Sequence, residues 1–260
     1  MCLNKIVSVL RAVSGSPNPK NFTSAVIAAA GSGTRFGGET TKQLIEVAGA
    51  PIIVHTLRAF EAAECIHEII IVARRDEIPV IGELCEKNGF KKIAKILPGG
   101  YSRQDSVLIG TDAVSKASKF VAIADGARCL ITPEQISEVC RAAYKYKAAT
   151  AAQAVTDTVK IADAKGFIES TADRNTVFLA QTPQVFKTKL YRAAAYTALK
   201  KNFQATNDNM LVEFVKHPVR LVECGKYNFK ITTREDAFLA EAILQKRQNE
   251  AASVLTGEPQ

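Results

Sequence analysis

The sequence predicts an α/β protein with a mainly parallel sheet held between two layers of helices. Two observations carry this. From Ser24 onward, short apolar runs alternate with longer mixed stretches, and the loops richest in Gly, Arg and Asp follow the apolar runs. Strands are expected at 25–30, 68–73, 92–97 and 119–124, and helices at 51–63, 77–88, 103–117 and 133–146. Such an order builds βαβ units with right-handed crossovers. Ligands on these sheets sit at the carboxyl ends of the strands. The loops at 31–43, 98–106 and 125–132 all fall there.

A chain of 260 residues can bury one sizeable core with an appendage. No apolar run approaches the ~20 residues of a membrane helix. The net charge of +8 raises nucleic-acid binding as a class. The basic residues are dispersed, however, and no aromatic residues interleave with a basic run. Two polyanionic small substrates account for the excess equally well and predict a single basic cleft. The six cysteines, Cys2, Cys65, Cys85, Cys129, Cys140 and Cys224, contain no Cys-x-x-Cys pair. His55, His67 and His217 make no metal-ligand spacing. This usage fits a reducing cytoplasm.

Residues 1–22 lack acidic side chains and end near Gly15-Ser16-Pro17-Asn18-Pro19, a linker composition. They are expected to form a flexible N-terminal extension to a domain at 23–248, with a loose tail at 249–260.

The first strand runs into Ala28-Ala29-Ala30-Gly31-Ser32-Gly33-Thr34-Arg35-Phe36-Gly37-Gly38, closing on Lys42-Gln43-Leu44. Glycines after a buried strand expose backbone N–H groups that can cradle phosphate oxygens. Arg35 and Lys42 add two cations. A dinucleotide fingerprint needs a third glycine where Phe36 stands. A P-loop needs a Gly-Lys-Ser/Thr ending that is missing. Two glycines alone also fit a plain connection; the cations favour a triphosphate site.

This loop resembles the Ala-Ala-Gly-x-Gly-x-Arg…Pro-Lys-Gln signature of the sugar-nucleotidyltransferase superfamily. Within it, the chain from about Ser24 to Gln245 is most similar to the 2-C-methyl-D-erythritol 4-phosphate cytidylyltransferases of non-mevalonate isoprenoid synthesis. Thr41 stands where that family usually has proline. The resemblance implies a three-layer Rossmann-like nucleotidyltransferase fold with a protruding β-arm. It implies CTP and 2-C-methyl-D-erythritol 4-phosphate as substrates, Mg²⁺ as cofactor, no nucleic-acid or membrane partner, and a cytoplasmic homodimer joined through the arm. Ala29, Ala30, Gly31, Ser32 and Gly33 become CTP ligands, and Arg35 and Lys42 catalytic cations.

Pro98-Gly99-Gly100-Tyr101-Ser102-Arg103-Gln104-Asp105-Ser106 reads by itself as a turn and a Ser102 helix cap. It also resembles the family's Gly-Gly-x-x-Arg-x-x-Ser element, which assigns Gly99, Gly100, Tyr101 and Ser106 to CTP. Phe120 to Asp125 is an apolar strand ending in a carboxylate, a position suited to Mg²⁺. The family's His-Asp-x-Ala-Arg-Pro is matched by Asp125 and Arg128, with Ala124 for the histidine and Cys129 for the proline. Asp125 is the expected metal ligand and Arg128 a substrate contact.

Residues 154–180 break the alternation and read as two short strands with a turn, marginal alone in water. The family's dimer arm lies here, between about 154 and 176, and Thr158 and Arg174 match arm residues that contact the acceptor phosphate of the neighbouring site. Thr182-Pro183-Gln184 matches an architectural family motif. A helix follows near 188–200. Thr206-Asn207-Asp208-Asn209 stands where the family reads Thr-Asp-Asp/Glu-Ala, leaving Asp208 as a secondary positioning or metal residue. Asn228-Phe229-Lys230 resembles Asn-x-Lys and makes Lys230, expected on a strand, a ligand of the acceptor phosphate. A closing helix is expected from Glu235 to Gln245.

Ribitol 5-phosphate cytidyl transfer keeps this fold with another acceptor, and Ala172-Asp173-Arg174-Asn175 favours the erythritol substrate over it. A silent nucleotide-binding homologue is the other alternative, prompted by Thr41, Ala124, Cys129 and Asn207.

Overall fold

The computed structural model describes residues 19–31 and 41–256. In chain order the elements are β1 (Thr23–Ala28), a 3₁₀ turn (Lys42–Leu44), β2 (Glu46–Val47), β3 (Ala50–Pro51), α1 (Ile52–Ala62), β4 (Glu68–Ala73) and α2 (Ile78–Lys87). Next come β5 (Ile93–Pro98), α3 (Arg103–Asp112), β6 (Phe120–Asp125), α4 (Pro133–Tyr146), β7 (Ala148–Ala154), β8 (Lys160–Ala162) and β9 (Ile168–Thr171). A 3₁₀ turn (Arg174–Thr176), β10 (Phe178–Lys187), α5 (Thr188–Lys200), α6 (Asp208–Phe214), β11 (Arg220–Glu223) and α7 (Arg234–Thr256) complete the chain.

Seven strands form the main sheet in the order β11-β7-β10-β6-β1-β4-β5. β10 alone among them runs against its neighbours, antiparallel to β6 and to β7. The parallel strands are buried on both faces, so they read as unbroken apolar runs. Alternate residues nevertheless face opposite layers. Ile69, Ile71 and Ala73 pack with α1, α2 and α4, while Ile70 and Val72 pack with α3, α5 and α6. α7 closes over Val47, Ile52, Leu130 and Ile231 with Ala240 and Leu244.

Local chemistry sets the helix starts. Ser102 caps α3 and Thr132 caps α4, each in a reciprocal box with Asp105 or Gln135. Gly110 lets α3 lie directly on the sheet: a Cβ there would sit 2.5 Å from Val26 Cγ1 and 2.9 Å from Val72 Cγ2.

Four differences from the sequence expectation stand out. β7 (AATAAQA) and β11 were not foreseen, nor was α6. α3 stops at Asp112 rather than 117. Lys230 lies in a segment without strand structure. α7 continues to Thr256, so residues 249–256 extend a helix rather than forming a loose tail. The N-terminal extension to residue 18 and the last four residues lie outside the described part. Among the described residues no helix is long and apolar enough to cross a membrane.

Candidate active site

The carboxyl ends of β1, β4, β5 and β6 are drawn together by backbone bonds. Ala29 N–H donates to Val72 O, Gly99 N–H to Ala73 O and Gly126 N–H to Ala28 O. Gly99 is required here, since a Cβ would fall 2.4 Å from the Ala30 Cβ and 2.9 Å from Ser106 Oγ. Gly100 N–H donates to Ser106 Oγ, which donates in turn to Ser102 O. The buried Ser106 therefore holds the glycine loop in shape, and Tyr101 projects fully into solvent beside it. Ala29, Ala30 and Gly31 lie at the same edge; Ser32, Gly33 and Arg35 are outside the described residues. Lys42 opens the 3₁₀ turn that follows. Thr41 holds φ −70° and ψ 144°, dihedrals that a proline also favours.

The centre of the site is a charge cluster around Asp125 at the end of β6. Arg103 Nε approaches Oδ1 at 3.2 Å. Lys230 Nζ and Arg128 Nε face Oδ2 at 3.1 and 3.6 Å. Arg103 also reaches Asp208 Oδ2 through Nη1 at 2.7 Å, and Tyr191 donates to Asp208 Oδ1 at 2.7 Å.

A bulge in β10 aims these groups. The register steps from Ala180 opposite Ala152 to Gln184 opposite Thr150, so Gln181, Thr182 and Pro183 bow out of the ladder. Thr182 Oγ1 accepts from Asp125 N–H at 3.0 Å. Asn228 Nδ2 donates to Gln181 Oε1 and Thr182 O, each at 2.9 Å. Ile231 N–H donates to Ala127 O, and Arg128 Nη1 to Asn228 O. Thr182-Pro183-Gln184 is thus the frame on which Asp125, Arg128 and Lys230 converge.

Burial alone would raise the Asp125 pKa, but Arg103, Lys230 and Arg128 overcome it and hold the carboxyl down at about 2. Burial also works against the Arg103 charge; Asp208 and Asp125 prevail and its pKa rises above the ordinary arginine value. For Arg128, burial wins over Asp125 and lowers the pKa. Burial, reinforced by the Asp208 charge, pushes Tyr191 well above the usual phenol value.

Asp125, the expected metal ligand, lies at the centre of these contacts. Both its oxygens already face cations, and Asp208 is taken by Arg103 and Tyr191. Among the described residues no three metal-ligating side chains come together. Magnesium carried on substrate phosphates needs only one or two protein carboxylates, and Asp125 and Asp208 are the carboxylates this cluster offers.

Lys230, Arg128 and Asp125 are brought together as the sequence implied. Thr158 and Arg174 are not: both are exposed on the arm, where Arg174 Nη1 donates to Thr156 O. Arg103 was passed over in the sequence reading, although it stands at the arginine of Gly-Gly-x-x-Arg-x-x-Ser. Asp208 enters the cluster, whereas Asn207 caps α6 by accepting from Met210 N–H. Asparagine and aspartate serve equally there. Ala124 and Cys129 are buried packing residues, so those departures leave the charged groups in place.

The model of a protein family described as 2-C-methyl-D-erythritol 4-phosphate cytidylyltransferase matches residues 23–246. The chain is 42% identical over 229 residues to the protein of that name from Pelotomaculum thermopropionicum, covering 88% of this chain and 96% of the relative. It is 44% identical over 224 residues to the Caldanaerobacter subterraneus protein of the same name, covering 86% and 99%. Among solved structures it resembles the 4-diphosphocytidyl-2C-methyl-D-erythritol synthase of Anaerococcus prevotii. That match has a TM-score of 0.78 at 34% identity and covers 86% of this chain and 99% of the other. The Thermus thermophilus 2-C-methyl-D-erythritol 4-phosphate cytidylyltransferase aligns with a TM-score of 0.71 at 30% identity, covering 86% and 99%.

Proposed function

Because this chain belongs to the 2-C-methyl-D-erythritol 4-phosphate cytidylyltransferase family, we infer that its basic cluster serves cytidyl transfer from CTP to 2-C-methyl-D-erythritol 4-phosphate. The enzyme is a nucleotidyltransferase. A 4-phosphate oxygen of the acceptor attacks the α-phosphorus of CTP, the bond to the β-phosphate breaks, and pyrophosphate leaves. No enzyme nucleophile is required, so catalysis is positioning and charge neutralisation. The observation that carries the assignment of residues is the convergence of Arg103, Arg128 and Lys230 on one buried carboxylate.

In this reading the glycine loops at 29–33 and 99–101 take the nucleotide, with Ser106 keeping the second loop in shape. Arg35 and Lys42 neutralise the triphosphate as charge shifts to the leaving group. Arg128 and Lys230 receive the acceptor phosphate. A magnesium ion accompanying the triphosphate would be held by Asp125 and would supply neutralisation of the phosphate charge.

The arm supports a homodimer. β8 and β9 form their own two-stranded sheet, and Ile161, Phe167 and Ile168 on it are exposed. A hairpin of that size gains stability by packing on something, and a second copy lets Thr158 and Arg174 reach the neighbouring site. The free cysteines Cys65, Cys85, Cys129, Cys140 and Cys224 support a reducing, cytoplasmic setting.

That the relatives are 2-C-methyl-D-erythritol 4-phosphate cytidylyltransferases favours the erythritol acceptor over ribitol 5-phosphate. The test is pyrophosphate release with each acceptor, crossed against CTP, UTP and ATP. Fast release is expected only for CTP with methylerythritol phosphate. The reverse acceptor ranking would overturn the reading, and CTP binding without release on any acceptor would indicate a silent homologue.

A further inference from the structure

Three cations face Asp125, and they differ in what else holds them. Arg103 is fastened to Asp208 and Arg128 to the Asn228 carbonyl. Lys230 makes no second ion pair among the described residues, and its flexible stem carries a compact charge. The two oxygens of Asp125 are divided unequally. Arg103 takes Oδ1, while Lys230 and Arg128 share Oδ2 at 3.1 and 3.6 Å.

Arg103 keeps to Oδ1 because its fork is fixed from behind. Tyr191 is wholly buried in the layer of α3, α5 and α6, and its hydroxyl orients Asp208 at 2.7 Å. Asp208, itself buried, then holds Arg103 Nη1 at 2.7 Å. A carboxylate bound on both oxygens has little freedom to turn, and charge-assisted bonds of this length are the strong ones. A hydrogen-bonded line therefore runs from the interior of α5 through α6 and α3 to the end of β6.

We propose that Tyr191 and Asp208 are positioning residues that lock Arg103 onto one oxygen of Asp125, so that Lys230 is the cation released to the incoming phosphate. Without the lock, Arg103 turns its planar fork onto both Asp125 oxygens and competes with Lys230 for Oδ2. The proposal rests on the cytidyl-transfer reading above for which phosphate arrives, and on the geometry alone for which cation moves.

A double-mutant cycle tests it. Tyr191→Phe keeps the ring and removes only the hydroxyl, and Asp208→Asn removes the charge; each is made in the wild type and in an Arg103→Ala background. In the wild type, Tyr191→Phe should lower turnover about 3–10-fold, the effect of one hydrogen bond. Asp208→Asn should lower it about 10–100-fold, as expected for a charged partner. KM for the methylerythritol phosphate should move more than KM for CTP. In the Arg103→Ala background neither change should add anything. The same cycle is read by calorimetry with inorganic phosphate as the probe of the Lys230 site, where Tyr191→Phe should weaken binding about 3-fold only when Arg103 is present. Effects of equal size in both backgrounds, moving in step with the melting temperature, would show a merely structural role and overturn the proposal. A wild type that binds inorganic phosphate but releases no pyrophosphate from CTP and acceptor would sink the cytidyl-transfer reading, and the binding cycle would still decide the role of Tyr191.

Discussion

Replacing Asp125 by Asn tests whether this carboxylate is the fixed counterion of the cluster. The amide has nearly the shape of the protonated acid, so the variant mimics a permanently protonated Asp125. Its folded pKa lies at about 2 against an ordinary 3.8. At about 1.4 kcal/mol for each unit, the ionised form contributes roughly 2 kcal/mol to folding. Truncating one member of a buried ion pair commonly costs about 3–5 kcal/mol. The lower figure applies here, because Arg103 keeps Asp208, Arg128 keeps the Asn228 carbonyl, and the partly exposed Lys230 can hydrate. The folded pKa is depressed, so the contribution is complete above the ordinary value and disappears as pH falls through about 2. Urea unfolding of wild type and Asp125→Asn at pH 7 should therefore differ by about 2 kcal/mol, and at pH 3 by about 1 kcal/mol. A gap that stays constant between the two pH values, or a variant as stable as wild type at pH 7, would refute the counterion argument.

Other outcomes follow from the same geometry. Gly110→Ala places a Cβ 2.5 Å from Val26 Cγ1, so thermal melts should report a loss of about 1–3 kcal/mol from overpacking; an unchanged melting temperature would mean α3 does not lie that close. Asn207→Asp should leave turnover and stability as they are, while Asn207→Ala should cost about 1 kcal/mol in urea unfolding through loss of the α6 cap. Lys42→Ala and Arg174→Ala should each lower turnover by about 10²–10³. If Arg174 serves the neighbouring subunit, mixing the two with subunit exchange should restore about a quarter of wild-type activity, one good site in half the dimers; no recovery despite demonstrated exchange would return Arg174 to its own chain.

The inner half of the fold is legible in the sequence because two-sided burial turns strands such as Glu68–Ala73 into unbroken apolar runs. The outer half is not. β7 is built almost wholly of alanine, whose intrinsic preference is helical, and only its tertiary partners make it a strand. Within the site, Asp125, Arg128 and Lys230 were visible through motifs, since each lies beside a turn at the edge of the sheet. Arg103 was overlooked because its residue type and place at the start of α3 suit a solvated helix position equally well. Its partner Asp208 lies 105 residues away, a separation no local pattern reports. The cations around Asp125 were hidden for a related reason: an acid at the end of a strand looks open until the groups that fold back onto it are seen.

The position of β10 has a consequence for how the chain is assembled. β6 and β7 have no ladder to each other; β10 lies between them, and β11 joins the sheet only through β7. During synthesis, β1, β4, β5 and β6 can pair as soon as they emerge, but the edge of β6 has no strand to meet until residues 178–187 leave the ribosome. β7 waits unpaired through the whole arm. Closing a long connection adds little entropy, since doubling its length costs only about 0.6 kcal/mol. The arm therefore delays the docking of the outer strands without weakening the finished sheet. Because β10 also carries the bulge at Gln181–Pro183, the late strand brings the frame of the charge cluster with it. A chain arrested before β10 would hold a nucleotide-side half-sheet with one raw edge and no assembled cluster; β10 joins the two halves of the sheet and sets the frame onto which Asp208, Asn228 and Lys230 then close.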